Sequence, residues 1–430
     1  MRKELAGVSQ RGEASATGVP SKWATVLLLQ RLLTLGGASG LGQLFSLVYT
    51  LLLAHQLGLP GYSAFAACFS TAGLSAFLIN WGMDTYLLRQ SATHPQAGEL
   101  TGQVILLKLG LGLLWGAACF VALPRLRPDL FWPDLLGFCL LDVWCEDLFD
   151  AQSARLNGLG RIRQSANLTI LLRGGRLLAA SGLVMAAFRS PTQYAAARLG
   201  ATLIALAVMF LVVRPSFASS SIQKLKSVWR SALPFGVSDM LALIYLQADV
   251  TLLALLASHA TEVGSYAPAL TLINALFILP ASAYTLLIPA LSALRQEQPD
   301  GYRALKRWIY PGFAALGALL WPLVWWGGSN LTTRLLGPSY YESGALLAAL
   351  SPILFLKCLS FAGASLLVAA DRQAERLIPQ AAAAAANIIF NLWAIPRWGA
   401  WGATWAYLLS EGLLAAGYGL AYIKVKGHDA

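Results

Sequence analysis

Charge is scarce in this chain. Only 12% of its 430 residues are Asp, Glu, Lys or Arg, about half the share usual for a soluble domain. An ordinary solvated surface is excluded. Cysteine is scarce too. Cys68, Cys119, Cys139, Cys145 and Cys358 show no C-x-x-C spacing, so neither a disulfide framework nor a thiolate metal site is indicated. They read as small apolar packing groups. The four histidines, His55, His94, His259 and His428, all avoid the middle of apolar segments, which argues against His-based catalysis. No phosphate-binding G-x-x-x-x-G-K-[ST] loop, zinc-spaced His/Cys set or Ser-His-Asp arrangement is visible. Long polar stretches are missing as well. The longest loop on the side away from the termini is under about 20 residues, which argues against a membrane glycan polymerase, ligase or glycosyltransferase. Met1 to Lys22 is polar and lacks an apolar core with a small-residue cleavage site, so it is not read as a signal peptide.

Apolar sequence is abundant. Hydrophobic residues make up 57% of the chain, and runs long enough to span a bilayer as helix recur from end to end. Twelve are expected, near 25–55, 62–88, 101–123, 134–156, 163–187, 193–213, 228–257, 264–293, 309–333, 343–370, 375–395 and 400–423. The fold class is an all-α integral membrane protein. The net charge of +11 could suggest nucleic acid, but its distribution argues otherwise. With both termini placed in the cytoplasm, twenty Lys/Arg fall in cytoplasmic loops and tails, five in outside loops and six within spans. This bias sets the expected orientation.

The chain reads as a duplication. Gly61-Tyr62-Ser63-Ala64 opens the second span and Gly264-Ser265-Tyr266-Ala267 the eighth. LNGLGR, ending at Arg161, follows the fourth span, and LVAADR, ending at Arg372, follows the tenth. Six spans separate each pair, so the halves share one orientation, as in a parallel repeat with a substrate site at the interface. The expected organisation is a cytoplasmic tail 1–22, a six-helix bundle 23–215, a cytoplasmic linker 216–226, a second bundle 227–424 and a tail 425–430.

Charged residues inside apolar segments demand a reason, because they are expensive in hydrocarbon. Asp142, Glu146, Asp147 and Asp150 lie in the fourth span, and Arg173 and Arg176 in the fifth. An antiparallel hairpin turning near Gly158–Gly160 puts residues at equal depth when their numbers add to about 318. That matches Glu146 with Arg173 and Asp142 with Arg176 as interhelical ion pairs. Asp142, Glu146 and Asp150 share a face, while Asp147 points elsewhere. The pairs read either as self-neutralised packing devices or as a rearranging network on a cavity.

The stretch Ala232 to Leu294 resembles the middle of the polysaccharide-transport (oligosaccharide lipid flippase) family. That family belongs with MATE multidrug exporters and lipid II flippases in one superfamily. Pro234-Phe235, Asp249, Val263-Gly264-Ser265-Tyr266 and Pro289 occupy the places of the family's motifs. The stretch HQLGLPGYSAFAACFSTAGLSAFLINWGMDTYLLRQSA is similar to its first hairpin, with His55 where Arg is more usual. RLLGPSYYESGALLAALSPILFLKCLSFAGASLLVAADRQ and NIIFNLWAIPRWGAWGATWAYLLSE also fit.

The resemblance implies a MATE-like fold of two six-helix bundles in the inner membrane. It implies alternating-access transport of undecaprenyl-diphosphate-linked oligosaccharide for exopolysaccharide, O-antigen or capsule synthesis. It implies no enzymatic step, cofactor or metal. Membrane lipids, and possible partners among polysaccharide polymerase and chain-length machinery, go with it; nucleic acid does not. The intramembrane cations Arg31, Lys108, Arg173, Arg176 and Lys357 then become the expected lining of a cationic cavity, because Arg grips a diphosphate bidentately and Lys as a point charge. Snorkelling to headgroups is the other reading of Arg31 and Lys108, and the preferred one for Arg198. Asp142, Glu146 and Asp249 are expected as network or coupling acids. Asn387 and Asn391 read as helix-joining groups. A MATE-like multidrug/cation antiporter and a lipid II-type flippase remain the alternatives. The first would favour an acidic cavity, the second fourteen spans.

Overall fold

A computed structural model describes the backbone of residues 22–93, 98–217, 221–297, 299–370, 372 and 374–428. The side chains of 22–39, 299 and 425–428, and several in the eighth and tenth helices below, lie outside the described set. All regular structure among the described residues is helical.

The first half holds α1 (Lys22–Ser75), α2 (Phe77–Asn80), α3 (Met83–Thr93), α4 (Gly98–Leu126), α5 (Pro133–Gly158), α6 (Ile162–Met185) and α7 (Pro191–Val213). The second holds α8 (Ile222–Leu256), α9 (Thr261–Leu276), α10 (Ile278–Glu297), α11 (Pro299–Leu336), α12 (Tyr341–Leu350), α13 (Pro352–Ala369) and α14 (Ala374–His428).

Two of these helices are double crossings. In α1, Gly58 has φ 63 and ψ 176, outside helical values. The Arg198 guanidinium sits 4.0 Å from the Phe69 ring and 5.4 Å from the Tyr49 ring. A continuous helix would hold those rings about 30 Å apart, so the chain turns back at Gly58. In α14, Gly399 has φ 53 and ψ −128. Asn387 Nδ2 lies 3.4 Å from Ser410 Oγ, where an unbroken helix would separate them by about 35 Å. Among the described residues, eight stretches are long and apolar enough to cross a membrane by length and composition. Dividing the two double crossings and adding Pro133–Gly158 and Ile222–Leu256 gives twelve segments among the described residues. The acids of α5 are what keep that helix out of the eight.

The link at 216–226 is helical from Ile222, where the Ser221 hydroxyl accepts from Lys224 N as an N-cap. The backbone of the expected 425–430 tail is helical through His428. Residues 1–21 lie outside the described set.

One apolar cluster joins the halves at the end of the molecule away from the link. Leu53, Phe131 and Tyr194 enter it from the first half, and Leu253, Tyr266 and Leu350 from the second. Burial of this kind contributes about 25 cal/mol per Å² where water would otherwise reach. It makes this end a closed floor. The remaining space between the halves lies toward the link.

Candidate functional site

A cavity of about 790 Å³ lies between α1, α2, α3, α5, α6 and α7 on one side and α8 and α9 on the other. Its floor is tied by bonds that cross the halves. Arg127 Nη1 donates to the Ala257 carbonyl at 2.7 Å, and Tyr340 Oη donates to the Ala54 carbonyl at 2.7 Å. Arg127 is aimed by Asp129, whose carboxylate takes Nε at 2.9 Å and Nη2 at 2.8 Å. Those hydrogen bonds hold the Asp129 carboxyl below its ordinary range and raise Arg127 above its own. Gly264 meets the Leu59 carbonyl so closely that a Cβ there would lie 2.7 Å from the oxygen.

At the link end, Trp81 (φ 40) and Gly82 (φ 76) break the second crossing with left-handed backbone. A Cβ on Gly82 would fall 2.2 Å from Gly236 N, so α8 and the second crossing touch main chain to main chain. Thr85 Oγ1 donates to Asp239 Oδ2 at 2.9 Å across the same seam.

The arginines gather on one wall. Arg176 Nη1 and Nη2 donate to Glu146 Oε1 and Oε2 at 3.0 and 2.9 Å. Arg176 Nη2 also reaches both oxygens of Asp142 at 3.3 Å, and Thr202 Oγ1 at 2.9 Å. Arg198 Nε donates to Asp142 Oδ2 at 2.7 Å and Nη2 to Glu146 Oε2 at 3.3 Å. The side chains of Asp142 and Glu146 are 1% and 29% exposed. Glu146 lines the cavity and Asp142 lies behind it.

Asp142 therefore faces Arg176 as the hairpin register anticipates. Glu146 does not pair with Arg173; its ion pairs go to Arg176 and Arg198. Arg198 does not snorkel. It turns inward because α5 offers it two carboxylates and α1 two aromatic faces. Arg173 lines the cavity against Gly42, where a Cβ would come within 3.0 Å of its guanidinium. It makes no hydrogen bond or ion pair among the described residues.

Lys108 corrects the sequence reading. It is 0% exposed and does not line the cavity. Its Nζ meets Asp84 Oδ1 at 2.7 Å and Asp147 Oδ2 at 2.9 Å, and donates to the Asp147 carbonyl at 3.0 Å. Asp147, unassigned by the helix register, thus has a partner on α4. Lys357 also lies outside the cavity lining. Its Nζ reaches Glu411 Oε2 at 2.9 Å, and Ser360 Oγ donates to Glu411 Oε1 at 2.6 Å. The ammonium lies 5.3 Å from the Phe277 ring. The side chain of Arg31 lies outside the described residues. Asp249 is buried off the cavity, accepting from Asn387 Nδ2 at 2.9 Å and Asn391 Nδ2 at 2.7 Å. The two amides do join helices, and Asp249 is what they join.

Among the described residues the lining is not a cationic surplus. Arg173, Arg176 and Arg198 face it, but so do Asp84, Glu146, Asp147, Asp150 and Asp239. Counting cations span by span overstates the positive charge, because two lysines are spent inside the protein. Polar uncharged groups (Gln43, Ser46, Gln247, Asn274) and aromatic rings (Tyr49, Tyr62, Phe65, Phe69) fill much of the wall. Among the described residues no group of three or more His, Cys, Asp or Glu could hold a metal ion.

This arrangement of twelve crossings around a central cavity is a MATE-like fold, shared by transporters of the MOP superfamily. The chain superposes on the inward-facing conformation of a multidrug resistance MATE family transporter with TM-score 0.73 and 13% identity, covering 90% of this chain and 95% of that one. For the lipid II flippase MurJ in an inward closed conformation the values are 0.71 and 12%, with 91% and 87% covered. A MOP superfamily transporter from Pyrococcus furiosus Vc1, described as having a binding pocket of reverse polarity that suggests a different function, gives 0.61 and 12%, with 93% and 96% covered. No family model matches the chain, and no curated protein matches it in sequence.

Proposed function

We propose that the protein is a flippase for undecaprenyl-diphosphate-linked oligosaccharide, moving it from the cytoplasmic to the outer face of the inner membrane by alternating access. The observation that carries this reading is Arg173. A guanidinium that lines a cavity and makes no bond to the described protein is suited to an anionic ligand. Arg176 and Arg198 stand on the same wall, and amides, hydroxyls and aromatic rings complete a lining suited to sugars. The lipid tail stays in the bilayer while the diphosphate and glycan use the cavity. The excess of Lys/Arg at the link end supports a cytoplasmic position for that end. The protein performs no chemistry on its substrate. Polysaccharide polymerase and chain-length machinery are the partners that would receive the product.

The test is deletion in the host followed by analysis of lipid-linked glycan. Accumulation of repeat units on the cytoplasmic face, reversed by the wild-type gene, supports the reading. A second reading, a MATE-like cation antiporter, is favoured by the five carboxylates on the lining. Unchanged glycan with altered resistance to cationic dyes would select it instead.

A further inference from the structure

Glu146 occupies an anion site. Its two oxygens sit on the fork of Arg176 at 3.0 and 2.9 Å, and Oε2 also takes Arg198 Nη2 at 3.3 Å. That bidentate geometry is the one a phosphate group adopts on arginine. The two acids of the network are not equivalent. Asp142 is fixed from several sides, by Arg198 Nε, by Arg176 Nη2 and by the Thr202 hydroxyl. Glu146 is held by the two guanidinium groups and faces the cavity. Arg173 lies one turn before Arg176 on α6 and lines the same cavity.

We infer that Glu146 is a built-in stand-in for substrate phosphate, holding the Arg176 and Arg198 subsite until an organic diphosphate displaces it. This rests on the flippase reading and deepens it. The incoming phosphate takes the Arg176 fork and Arg198 Nη2, and Arg173 supplies a third cation. Asp142 stays in place and keeps both arginines aimed. The Glu146 carboxylate, already 29% exposed, moves into the cavity.

The energetic consequence is particular to a carrier. An exchange of one bidentate anion for another conserves the number of charge-assisted hydrogen bonds, so the net gain on binding is small. Two arginines sharing Asp142 alone would instead leave a guanidinium fork unpaired at the cavity and then hold a diphosphate tightly. When substrate leaves, Glu146 returns to its fork and blocks rebinding. A self-ligand therefore favours release, which turnover needs.

The experiment measures binding of inorganic pyrophosphate and farnesyl diphosphate to the purified full chain in lipid nanodiscs by calorimetry. Wild type should bind weakly. Glu146→Gln, which removes the competing charge at constant shape, should bind about 10- to 100-fold more tightly, the span of one charge-assisted interaction. Arg173→Ala in the Glu146→Gln background should reverse part of that gain. If wild type binds and Glu146→Gln binds equally or more weakly, the stand-in role is wrong while the anionic-substrate reading survives. If none of the proteins binds either probe, the diphosphate reading itself fails, and the inference with it. Should Glu146→Gln not fold, Glu146→Asp keeps the charge but withdraws the carboxylate by one methylene. It should also bind more tightly than wild type, and equal or weaker binding would overturn the proposal.

Discussion

Arg198 Nε donates to Asp142 Oδ2 at 2.7 Å although the two residues stand 56 positions apart on different helices. Asp142 is 1% exposed and Arg198 11%. This bond closes the arginine wall from behind. It is a load on folding as much as a feature of the cavity. Removing one partner from a buried pair leaves an uncompensated charge, at a cost of about 3–5 kcal/mol. Arg198→Ala should lower the melting temperature of the purified protein markedly. Arg198→Met combined with Asp142→Asn should recover much of the loss. A single variant as stable as wild type would show that the pair carries no such load.

Arg173 should behave oppositely. With no bond to the described protein, Arg173→Ala should leave thermal stability within about 0.5 kcal/mol, as for substitutions away from structural contacts. Glycan export by the same variant should fall steeply. Equal export by Arg173→Ala and wild type in a complementation assay would remove it from the substrate path.

The two buried lysines give a paired prediction. Lys108→Ala strands Asp84 and Asp147, and Lys357→Ala strands Glu411. Each should reduce the amount of folded protein, by about 3–5 kcal/mol of stability. Asp147→Asn should rescue Lys108→Ala, and Glu411→Gln should rescue Lys357→Ala, measured by size-exclusion profile and melting temperature. If a rescued double variant also exports glycan, the lysine is structural. Folded double variants without export would place the lysine in transport after all.

At the link end, Gly82→Ala introduces a Cβ 2.2 Å from Gly236 N at a φ of 76°. Both the backbone strain, about 1–3 kcal/mol, and the clash act against the closed seam. A Thr85→Cys/Asp239→Cys pair should cross-link readily in the wild-type background and much less with Gly82→Ala. Unchanged cross-linking would mean the seam tolerates the methyl group by a shift elsewhere.

The floor offers a test by pH. Asp129 has its pKa lowered from an ordinary 3.8, first by its hydrogen bonds from Arg127. A depressed folded-state value means the contribution is present above the unfolded value and is lost as pH falls through the folded one. The Arg127 clasp on Ala257 should therefore persist at pH 5 and loosen only well below pH 4. Labelling of a cysteine placed at Ser258 should report it, with Asp129→Asn raising labelling at pH 5 and above to the level wild type reaches only in acid. A wild-type transition near neutral pH would contradict the assignment.

Much of the architecture was legible because hydrocarbon imposes simple rules. Twelve crossings follow from apolar runs of sufficient length, and α5 stood out although its acids lower its mean hydropathy. The Asp142–Arg176 contact was legible because a short turn at Gly158–Gly160 fixes the register of one hairpin. Local register could not say that Arg176, rather than Arg173, takes Glu146. That depends on how α6 is rotated about its own axis, which α1 and α7 decide by packing. It also could not place Arg198 or Lys108, whose partners Asp142 and Asp147 lie 56 and 39 positions away on other helices.

The amino-acid sequence suffices to make this chain a membrane-spanning helical protein of twelve segments with ionisable groups buried in them. Chain length, hydropathy and the cost of charge in lipid leave little else. Which of those charges neutralise one another and which face the cavity emerges from helix packing alone. Ion pairs form between side chains on separate helices, so they are set by packing in three dimensions. The expected cationic lining thereby became an arginine wall opposed by carboxylates, with Lys108 and Lys357 committed within the protein and Arg173 left facing the space between the halves.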